Sequence, residues 1–182
     1  MSIPINPELV LTEADCLFNQ GEVELAFDNM SLAIEKQLKD KNPIIICVLT
    51  GAIVPMGHLL TRLNFPLQID YLHATRYNNG TTGGSIKWLA EPVLKIKDRN
   101  ILLVDDILDE GKTLFEIIKY CEKKQAKSIK TAVLINKLHD RKVNIKADFI
   151  GLNVEDRYLF GYGMDYKSYL RNVPGIYAVK GI

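Results

Sequence analysis

The residues best suited to chemistry lie in one short segment, residues 101–114, with the sequence ILLVDDILDEGKTL. Asp105, Asp106 and Asp109 follow four apolar residues that are typical of a buried strand. Carboxylates held close together repel one another, so such a cluster usually binds a cation or a hydroxyl-rich ligand. The cluster leads into residues 111–113 (GKT), where a predicted helix start offers free backbone N–H groups and a hydroxyl to a phosphate. A polyol phosphate would satisfy both halves of the segment.

Other interpretations of this segment and of a second glycine pair fit the sequence less well. A P-loop needs glycine where Asp106 stands. Residues 161–163 (GYG) begin like a dinucleotide-binding fingerprint, but Tyr166 occupies its third glycine position. A receiver domain also opens with an acidic pair, but too little chain follows, and Asp148 precedes its strand rather than ending it. The plain alternative is a solvated acidic turn in which Asp109 is only the N-cap of a helix.

The elements that would position this segment alternate between short apolar runs and amphipathic patterns. Wholly apolar runs are typical of strands buried on both faces, and their alternation with helices indicates an α/β fold with a mostly parallel central sheet flanked by helices. In such sheets, ligands bind at the carboxyl ends of the strands. The predicted strands are residues 44–49, 67–74, 101–104, 129–135, 149–154 and 158–160, and the predicted helices are residues 21–40, 52–63 and 113–125.

Composition and charge exclude several classes of protein. The chain has 182 residues, 47% hydrophobic and 25% charged, which predicts a single folded domain over residues 1–182. A formal net charge of +1 favours neither a nucleic-acid partner nor an anionic membrane surface. No apolar run approaches the length that spans a bilayer, and the first residues do not resemble a targeting segment. Three widely spaced cysteines without metal-ligand spacing are expected to be reduced thiols, which favours the cytoplasm.

Residues 75–87 (TRYNNGTTGGSIK) hold three glycines and no apolar period. Connections of this length are uncommon unless they are functional, so we expect a flexible loop over an active site.

Segment 101–114 resembles the phosphoribosyl-pyrophosphate (PRPP) loop of the type I phosphoribosyltransferases: an apolar strand, two acids, two apolar residues, Asp, any residue, Gly, Lys, Thr. From about residue 44 onward the chain resembles the hypoxanthine-guanine phosphoribosyltransferases. The resemblance implies a type I phosphoribosyltransferase-like fold with a small hood built from the terminal segments, namely the N-terminal helical segment 1–40 and the purine-binding segment 155–182. The matching motifs are residues 49–51 (LTG), 71–77 (YLHATRY), 132–137 (AVLINK) and 158–171 (YLFGYGMDYKSYLR).

The resemblance implies a reaction in which the ribose 5-phosphate of PRPP is moved onto a purine nitrogen, with Mg2+ required. Asp105 and Asp106 would face the ribose hydroxyls and bind the metal directly or through water. Asp109 would accept or shuttle the purine N7 proton, and we expect nearby acids and the bound base to raise its pKa. The residues expected at the 5-phosphate are Glu110, Gly111, Lys112 and Thr113.

The base would be recognised by residues from the last third of the chain. Lys137 would contact the purine O6, because an ammonium has three donors and no acceptor and so favours a 6-oxo over a 6-amino group. Without the resemblance, Lys137 could also be a lysine whose head reaches solvent at a strand edge. Tyr158 would stack on the base, and Leu159 would offer backbone groups to its edge. Asp165 would lie near the base and the Mg2+ of the pyrophosphate.

The pyrophosphate would be held by Thr50, Gly51 and Arg171, the last through its planar guanidinium. The alternative for Arg171 is a surface ion pair. Arg76 and Tyr77 would belong to the lid that closes over the reacting centre and excludes water.

The sequence departs from well-known members of the family at three positions. Thr50 stands where many members have lysine, Arg76 where others have serine, and Glu110 where a small hydroxylated residue is frequent. We expect the Glu110 side chain to point away from the phosphate. His58, His73 and His139 lack metal-ligand spacing and are expected on a helix, a strand and a loop, without a catalytic role.

The sequence therefore predicts a Mg2+-dependent purine salvage enzyme that forms IMP and GMP from hypoxanthine or guanine and PRPP. The alternatives are a PRPP-binding regulatory protein of the same fold and a transferase that prefers xanthine. The expected partners are the small-molecule substrates and further copies of the chain, as a dimer or tetramer, without nucleic acid or membrane.

Overall fold

The computed structural model describes residues 6–76 and 86–181. Four helices and nine strands lie within these ranges. In chain order they are α1 (Pro7–Glu13), β1 (Asp15–Asn19), α2 (Gln20–Leu38), β2 (Ile44–Leu49), α3 (Ile53–Leu60), β3 (Gln68–Arg76), β4 (Ile86–Ala90), β5 (Asn100–Leu108), α4 (Lys112–Lys123), β6 (Ser128–Leu138), β7 (Phe149–Glu155), β8 (Leu159–Phe160) and β9 (Gly175–Ala178).

A six-stranded sheet forms the centre, in the order β4-β3-β2-β5-β6-β7. Every neighbouring pair is parallel except β3 with β4. The apolar runs of β2 and β5 are buried, as a strand covered on both faces requires. The prediction of a mostly parallel sheet is confirmed, and each of the six predicted strands has a counterpart.

The helices pack on this sheet through their apolar faces. α2 contacts β6, β7 and α3, and its buried residues recur at helical spacing from Val23 to Leu38. Its first turn is fixed by a capping box in which Asn19 and Glu22 bond to each other's backbone N–H. α3 contacts β2 and β5, and α4 contacts β3 and β6. None of the helices in the described ranges is long and apolar enough to cross a membrane.

A second sheet of three antiparallel strands, β1-β9-β8, joins the two ends of the chain. It is the hood that the resemblance implies. β1 and β9 are too short and too weakly patterned to be recognised from the sequence, and residues 1–40 were predicted only as a helical segment. The hood brings residues 158–160 over the carboxyl edge of the central sheet.

Two predicted boundaries were wrong. Thr75 and Arg76 belong to β3, and Ile86 and Lys87 belong to β4, so the predicted loop 75–87 is shorter at both ends. The residues between these strands, including Tyr77, lie outside the described ranges. β5 also continues four residues beyond the predicted end at residue 104, so that the first two acids of the cluster lie within the strand.

Candidate active site

The parallel register of β5 and β6 brings the predicted catalytic and base-reading residues together. Leu108 pairs with Asn136, so the residues that follow each of them leave the sheet at the same edge. Lys137 Nζ lies 3.1 Å from Asp109 Oδ2, although 27 residues separate them in the chain. The strand ends thus place a carboxylate and an ammonium side by side, where ligands of α/β sheets bind.

A cavity of about 530 Å³ opens beside this edge. Its wall is formed by the whole segment from Asp105 to Leu114, which was predicted to bind the ribose and its 5-phosphate. Gly51, Asp165 and Arg171 line it from two other segments of the chain. Three of the predicted groups of residues therefore meet at one cavity.

Asp105 and Asp106 form the acidic part of that cavity wall. Burial raises the pKa of Asp105 well above its ordinary range, and the charge of Asp106 raises it further. Burial also raises the pKa of Asp106, although a hydrogen bond to Asp105 and the charge of Arg171 oppose that shift. Their negative charge is thus poorly compensated, which is the condition in which carboxylates bind a cation or hydroxyl groups.

The start of α4 does not support the alternative in which Asp109 serves as the N-cap of this helix. The N-cap is Gly111 in the left-handed region (φ 76°), and no side chain caps the helix, so Asp109 is not its N-cap. A Cβ at residue 111 would lie 2.5 Å from Ile145 Cγ2, which explains the glycine. Lys112 Nζ lies 2.7 Å from Glu110 Oε2, so the lysine and the unexpected acid form a pair beside the cavity.

Gly51, in the loop that follows β2, is closely approached by two other segments of the chain. A Cβ at Gly51 would overlap the Asp106 carboxylate, and a Cβ at Gly163 would overlap the carbonyl oxygen of Gly51. The peptide bond between Leu49 and Thr50 is cis. Thr50 itself is exposed, whereas Leu49 and Gly51 on either side line the cavity.

A second cavity of about 210 Å³ adjoins the first. Its lining includes every residue predicted to bind the purine, namely Lys137, Tyr158, Leu159 and Asp165. Leu159 is buried in β8, whereas Tyr158 is 40% exposed and packs edge-on against Tyr166 with 5.6 Å between the ring centroids. An aromatic ring with an open face is suited to stacking on a planar base.

Asp109 is held by two donors, one on each carboxylate oxygen. Lys137 Nζ contacts Oδ2, and His139 Nε2 lies 2.7 Å from Oδ1. Burial raises the pKa of Asp109, but the hydrogen bonds and charges of His139 and Lys137 outweigh it, so the pKa lies below its ordinary value. The expectation of a raised pKa was therefore wrong, because the nearest charges to Asp109 are cations rather than acids.

Lys137 is 8% exposed, so it is not a lysine whose head reaches solvent. Besides Asp109, it lies 3.4 Å from Asp156, which in turn pairs with Arg141 at 2.7 Å. His139, for which no catalytic role was predicted, follows β6 directly and has a side chain only 7% exposed. Its position two residues after Lys137 could have suggested that it reaches the same edge.

Asp165 and Arg171 form an ion pair at the boundary of the two cavities. Arg171 Nη2 lies 2.6 Å from Asp165 Oδ1, while Asp165 Oδ2 accepts the backbone N–H of Ser168 at 2.7 Å. Arg171 Nη1 also donates to the carbonyl of Gly163 at 2.5 Å. The guanidinium is therefore half-buried and bound to a residue that lines both cavities, which favours a role in the site over an ordinary surface ion pair.

The turn that carries Gly163 is anchored to helix α2. Tyr162 Oη donates to Glu24 Oε1 at 2.8 Å, and Glu24 also pairs with Arg62 and His58. Arg62 further binds Asp28 at 2.7 Å. This network fixes the position of the turn that touches Gly51 and holds Arg171. His58 and His73 lie on α3 and β3, as predicted.

Among the described residues, one group could hold a metal ion by distance alone: Asp109, His139 and Asp156, with ligand atoms within 4.8 Å of one another. Lys137 and Arg141 already pair with these carboxylates, so their charge is compensated. At Asp105 and Asp106 burial outweighs the opposing charge of Arg171, so these two carboxylates are the better oxygen donors for a hard divalent ion.

Comparison with known proteins agrees with this geometry. Residues 14–168 match the family model "Phosphoribosyl transferase domain". A Bacillus subtilis hypoxanthine-guanine phosphoribosyltransferase is 33% identical over 165 residues, which cover 90% of this chain and 92% of that protein. A Tritrichomonas foetus hypoxanthine-guanine-xanthine phosphoribosyltransferase is 32% identical, with 90% of each chain covered. A solved structure of a hypoxanthine-guanine-xanthine phosphoribosyltransferase superposes with a TM-score of 0.85 at 30% identity, covering 93% of this chain and 99% of that one.

Proposed function

The chain belongs to the hypoxanthine-guanine phosphoribosyltransferase family, and we propose that its two adjoining cavities together form the active site that makes IMP and GMP. The reaction joins hypoxanthine or guanine to the ribose 5-phosphate of PRPP and releases pyrophosphate. The observation that carries the assignment of the site is that the cavities share Asp106, Ile107, Asp109 and Asp165. Two substrates placed in them would meet beside Asp109.

The larger cavity is proposed to bind PRPP. Its 5-phosphate would accept hydrogen bonds from backbone N–H groups of residues 110–114, at the start of α4, where the helix dipole favours negative charge. The ribose hydroxyls would donate to Asp105 and Asp106. Arg171 would bind the pyrophosphate from the opposite side, next to the backbone of Gly51.

Mg2+ fits this cavity by the chemistry of its donors. Asp105 and Asp106 are hard oxygen ligands whose charge is poorly compensated, and Asp165 lies on the same wall. When bound, the ion would neutralise the pyrophosphate and make it a better leaving group. We propose Asp105 and Asp106 as its ligands, directly or through water, and Asp165 as a further ligand once Arg171 turns from it to the pyrophosphate.

The smaller cavity is proposed to bind the purine. Tyr158 would stack on the ring, and Lys137 would exchange its contact with Asp109 for the purine O6. Asp109 would then accept the proton from N7 while N9 forms its bond to ribose C1′. The bond from C1′ to the pyrophosphate oxygen breaks, and pyrophosphate leaves with the electron pair. The nearby carboxylates Asp105 and Asp106 would favour the positive charge that develops on the ribose.

Product formation from single bases tests this function. The protein is incubated with PRPP, Mg2+ and either hypoxanthine, guanine, adenine or uracil, and the nucleotides are identified by mass spectrometry. We expect IMP and GMP from the first two bases and no product from adenine or uracil. PRPP binding without turnover of any base would support a regulatory protein instead.

Xanthine is the second candidate substrate, because two of the similar proteins carry xanthine in their names. Xanthine differs from guanine by a 2-oxo in place of a 2-amino group, so it needs donors where guanine needs acceptors. Adding xanthine to the same assay decides whether the second cavity accepts both.

We also propose that the protein assembles into a dimer or tetramer and works in the cytoplasm. Ile69 and Tyr71 on β3 are 55% and 48% exposed, an apolar surface suited to association. The described cysteines are free thiols, as a reducing compartment favours. Light scattering on the purified protein tests the assembly, and a monomer at micromolar concentration would contradict it.

A further inference from the structure

His139 is the neighbour of Asp109 that none of the roles above uses. It follows β6 in the chain, and its Nε2 lies 2.7 Å from Asp109 Oδ1. Its side chain is only 7% exposed, against 43% for Asp109. A buried imidazole in contact with the carboxylate that accepts the substrate proton calls for an explanation in terms of that proton transfer.

The hydrogen bonds of His139 fix which ring nitrogen carries the proton. The backbone N–H of Arg141 donates to His139 Nδ1 at 3.1 Å. A backbone N–H can only donate, so Nδ1 must present its lone pair. The neutral ring then carries its proton on Nε2, and this N–H donates to Asp109 Oδ1.

The two donors on Asp109 differ in what happens to them when the base binds. Lys137 contacts Oδ2 in the structure, and in the proposed reaction it turns to the purine O6. His139 lines neither of these two cavities, so bound substrate leaves its bond to Oδ1 in place. Oδ2 is then the oxygen that is left open toward the base cavity.

Resting on the proposed function, we propose that His139 is a positioning residue that holds Asp109 by Oδ1 so that Oδ2 faces the purine N7. It does not pass the proton onward, because Nδ1 is already occupied by the Arg141 N–H. Its effect is on the orientation of the carboxylate and on the preference of that carboxylate for its charged form.

Several charged groups face Asp109 and enter any pH dependence. Lys137 extends from β6, and Arg141 and Lys142 follow in the same connection. Asp156, after β7, contacts Lys137 and Arg141 rather than Asp109. All four stay unchanged when His139 alone is replaced, so differences between variants report on His139.

The test compares steady-state kinetics across pH for the full-length protein and the variants His139→Leu, His139→Gln and Asp140→Asn. In His139→Leu we expect kcat to fall about tenfold, with KM for PRPP within about twofold, since a charge-assisted hydrogen bond is lost. The acidic limb of the kcat/KM profile for hypoxanthine should move to higher pH, because a carboxylate that loses a donor is protonated more easily. His139→Gln places an amide N–H near the position of Nε2 and should recover most of both changes. Asp140→Asn changes an exposed neighbour in the same turn and should leave both parameters unaltered.

A 15N NMR spectrum of histidine-labelled protein gives a readout that does not depend on turnover. The resonances missing in His139→Gln should belong to a ring with its proton on Nε2 and none on Nδ1. A proton on Nδ1 would overturn the inference, as would a His139→Leu variant with wild-type kcat and acidic limb, or a loss that Gln does not recover. A wild-type protein without turnover would instead overturn the proposed function, while the spectrum still tests the bond to Asp109.

Discussion

Asp105 and Asp109 are only four positions apart, yet the two ends of the acidic cluster have opposite electrostatics. Burial and the charge of Asp106 raise the pKa of Asp105, whereas His139 and Lys137 hold the pKa of Asp109 below its ordinary value. Beyond the charge of Asp106, the difference follows from what lies next to each residue on the neighbouring strand. Asp105 is flanked by Val133 in β6, and Asp109 lies beside the charged end of the same strand.

This contrast divides the site into a phosphate half, the larger cavity, and a base half, the smaller cavity, which differ in how their charges are paired. The main wall of the phosphate half is the single segment 105–114, which includes carboxylates that are suited to bind a cation or hydroxyl groups. The base half is assembled from β6, β8 and the segment around Asp165, and its charges are already paired. The negative charges of the phosphate half are thus poorly compensated, whereas those of the base half are paired with cations. Asp109 lines both cavities and lies at their junction.

The largest expected effect is on the residue shared by both halves. Asp109→Asn keeps the size and one acceptor oxygen but removes the base, so kcat should fall by about 10²–10⁴-fold. Binding of PRPP, measured by calorimetry, should change by no more than about threefold. An unchanged turnover would remove Asp109 from the proton transfer.

The second-largest effect is expected at Gly51, whose backbone approaches Asp106, a residue that lines both cavities. Gly51→Ala introduces a Cβ that would overlap the Asp106 carboxylate, so we expect KM for PRPP to rise by about tenfold or more. Gly57→Ala in α3 is the matched control, because a Cβ there meets no atom within 4 Å. Equal kinetics of the two variants would show that the close approach at Gly51 is not needed.

The base half can be perturbed alone. Lys137→Met removes the proposed contact with the purine O6, so KM for guanine should rise about tenfold while KM for PRPP stays within about threefold. Lys130→Met removes a lysine at the other end of β6, where it pairs with Asp148 at 2.6 Å, and should leave both constants unaltered. A parallel rise of both constants in Lys137→Met would contradict the division of the site.

The smallest effect is expected from a substitution in the phosphate half, and it concerns the stability of the fold rather than catalysis. The folded-state pKa of Asp105 lies above its unfolded value, so stability is lost as pH rises between the two values. At neutral pH, Asp105→Asn should therefore raise Tm by about 2–4 °C, the change that ~1 kcal/mol makes in a domain of this size. The gain in Tm should vanish near pH 4. Calorimetry at both pH values measures it, and a variant with an unchanged or lower Tm at neutral pH would contradict the prediction.

The main wall of the phosphate half could be predicted because residues 105–114 are contiguous in the chain. An apolar run, two acids and a glycine before a helix each have a local physical meaning, and the structure places them in one cavity wall. Five of the six strands of the central sheet were likewise predicted from apolar runs, whereas the edge strand β4 was not predicted. β1 and β9 were missed because they are short, and their pairing depends on the distant end of the chain.

The residues of the base half were predicted only from the family resemblance. The resemblance implied Lys137, Tyr158, Leu159 and Asp165, all of which line the second cavity. It did not give the charges around Asp109, because His139 reaches that carboxylate through the register of β5 and β6. Nor did the sequence show that Tyr162 bonds to Glu24, a contact across 138 positions.

The central claim is that the two cavities hold the two parts of one nucleotide, and a crystal structure with bound IMP tests it directly. We expect the 5′-phosphate at the backbone N–H groups of residues 110–114 and the hypoxanthine ring against Tyr158. Its O6 should lie within about 3 Å of Lys137 Nζ, and its N7 should face Asp109. A base bound outside the second cavity, with Lys137 still on Asp109, would contradict the account.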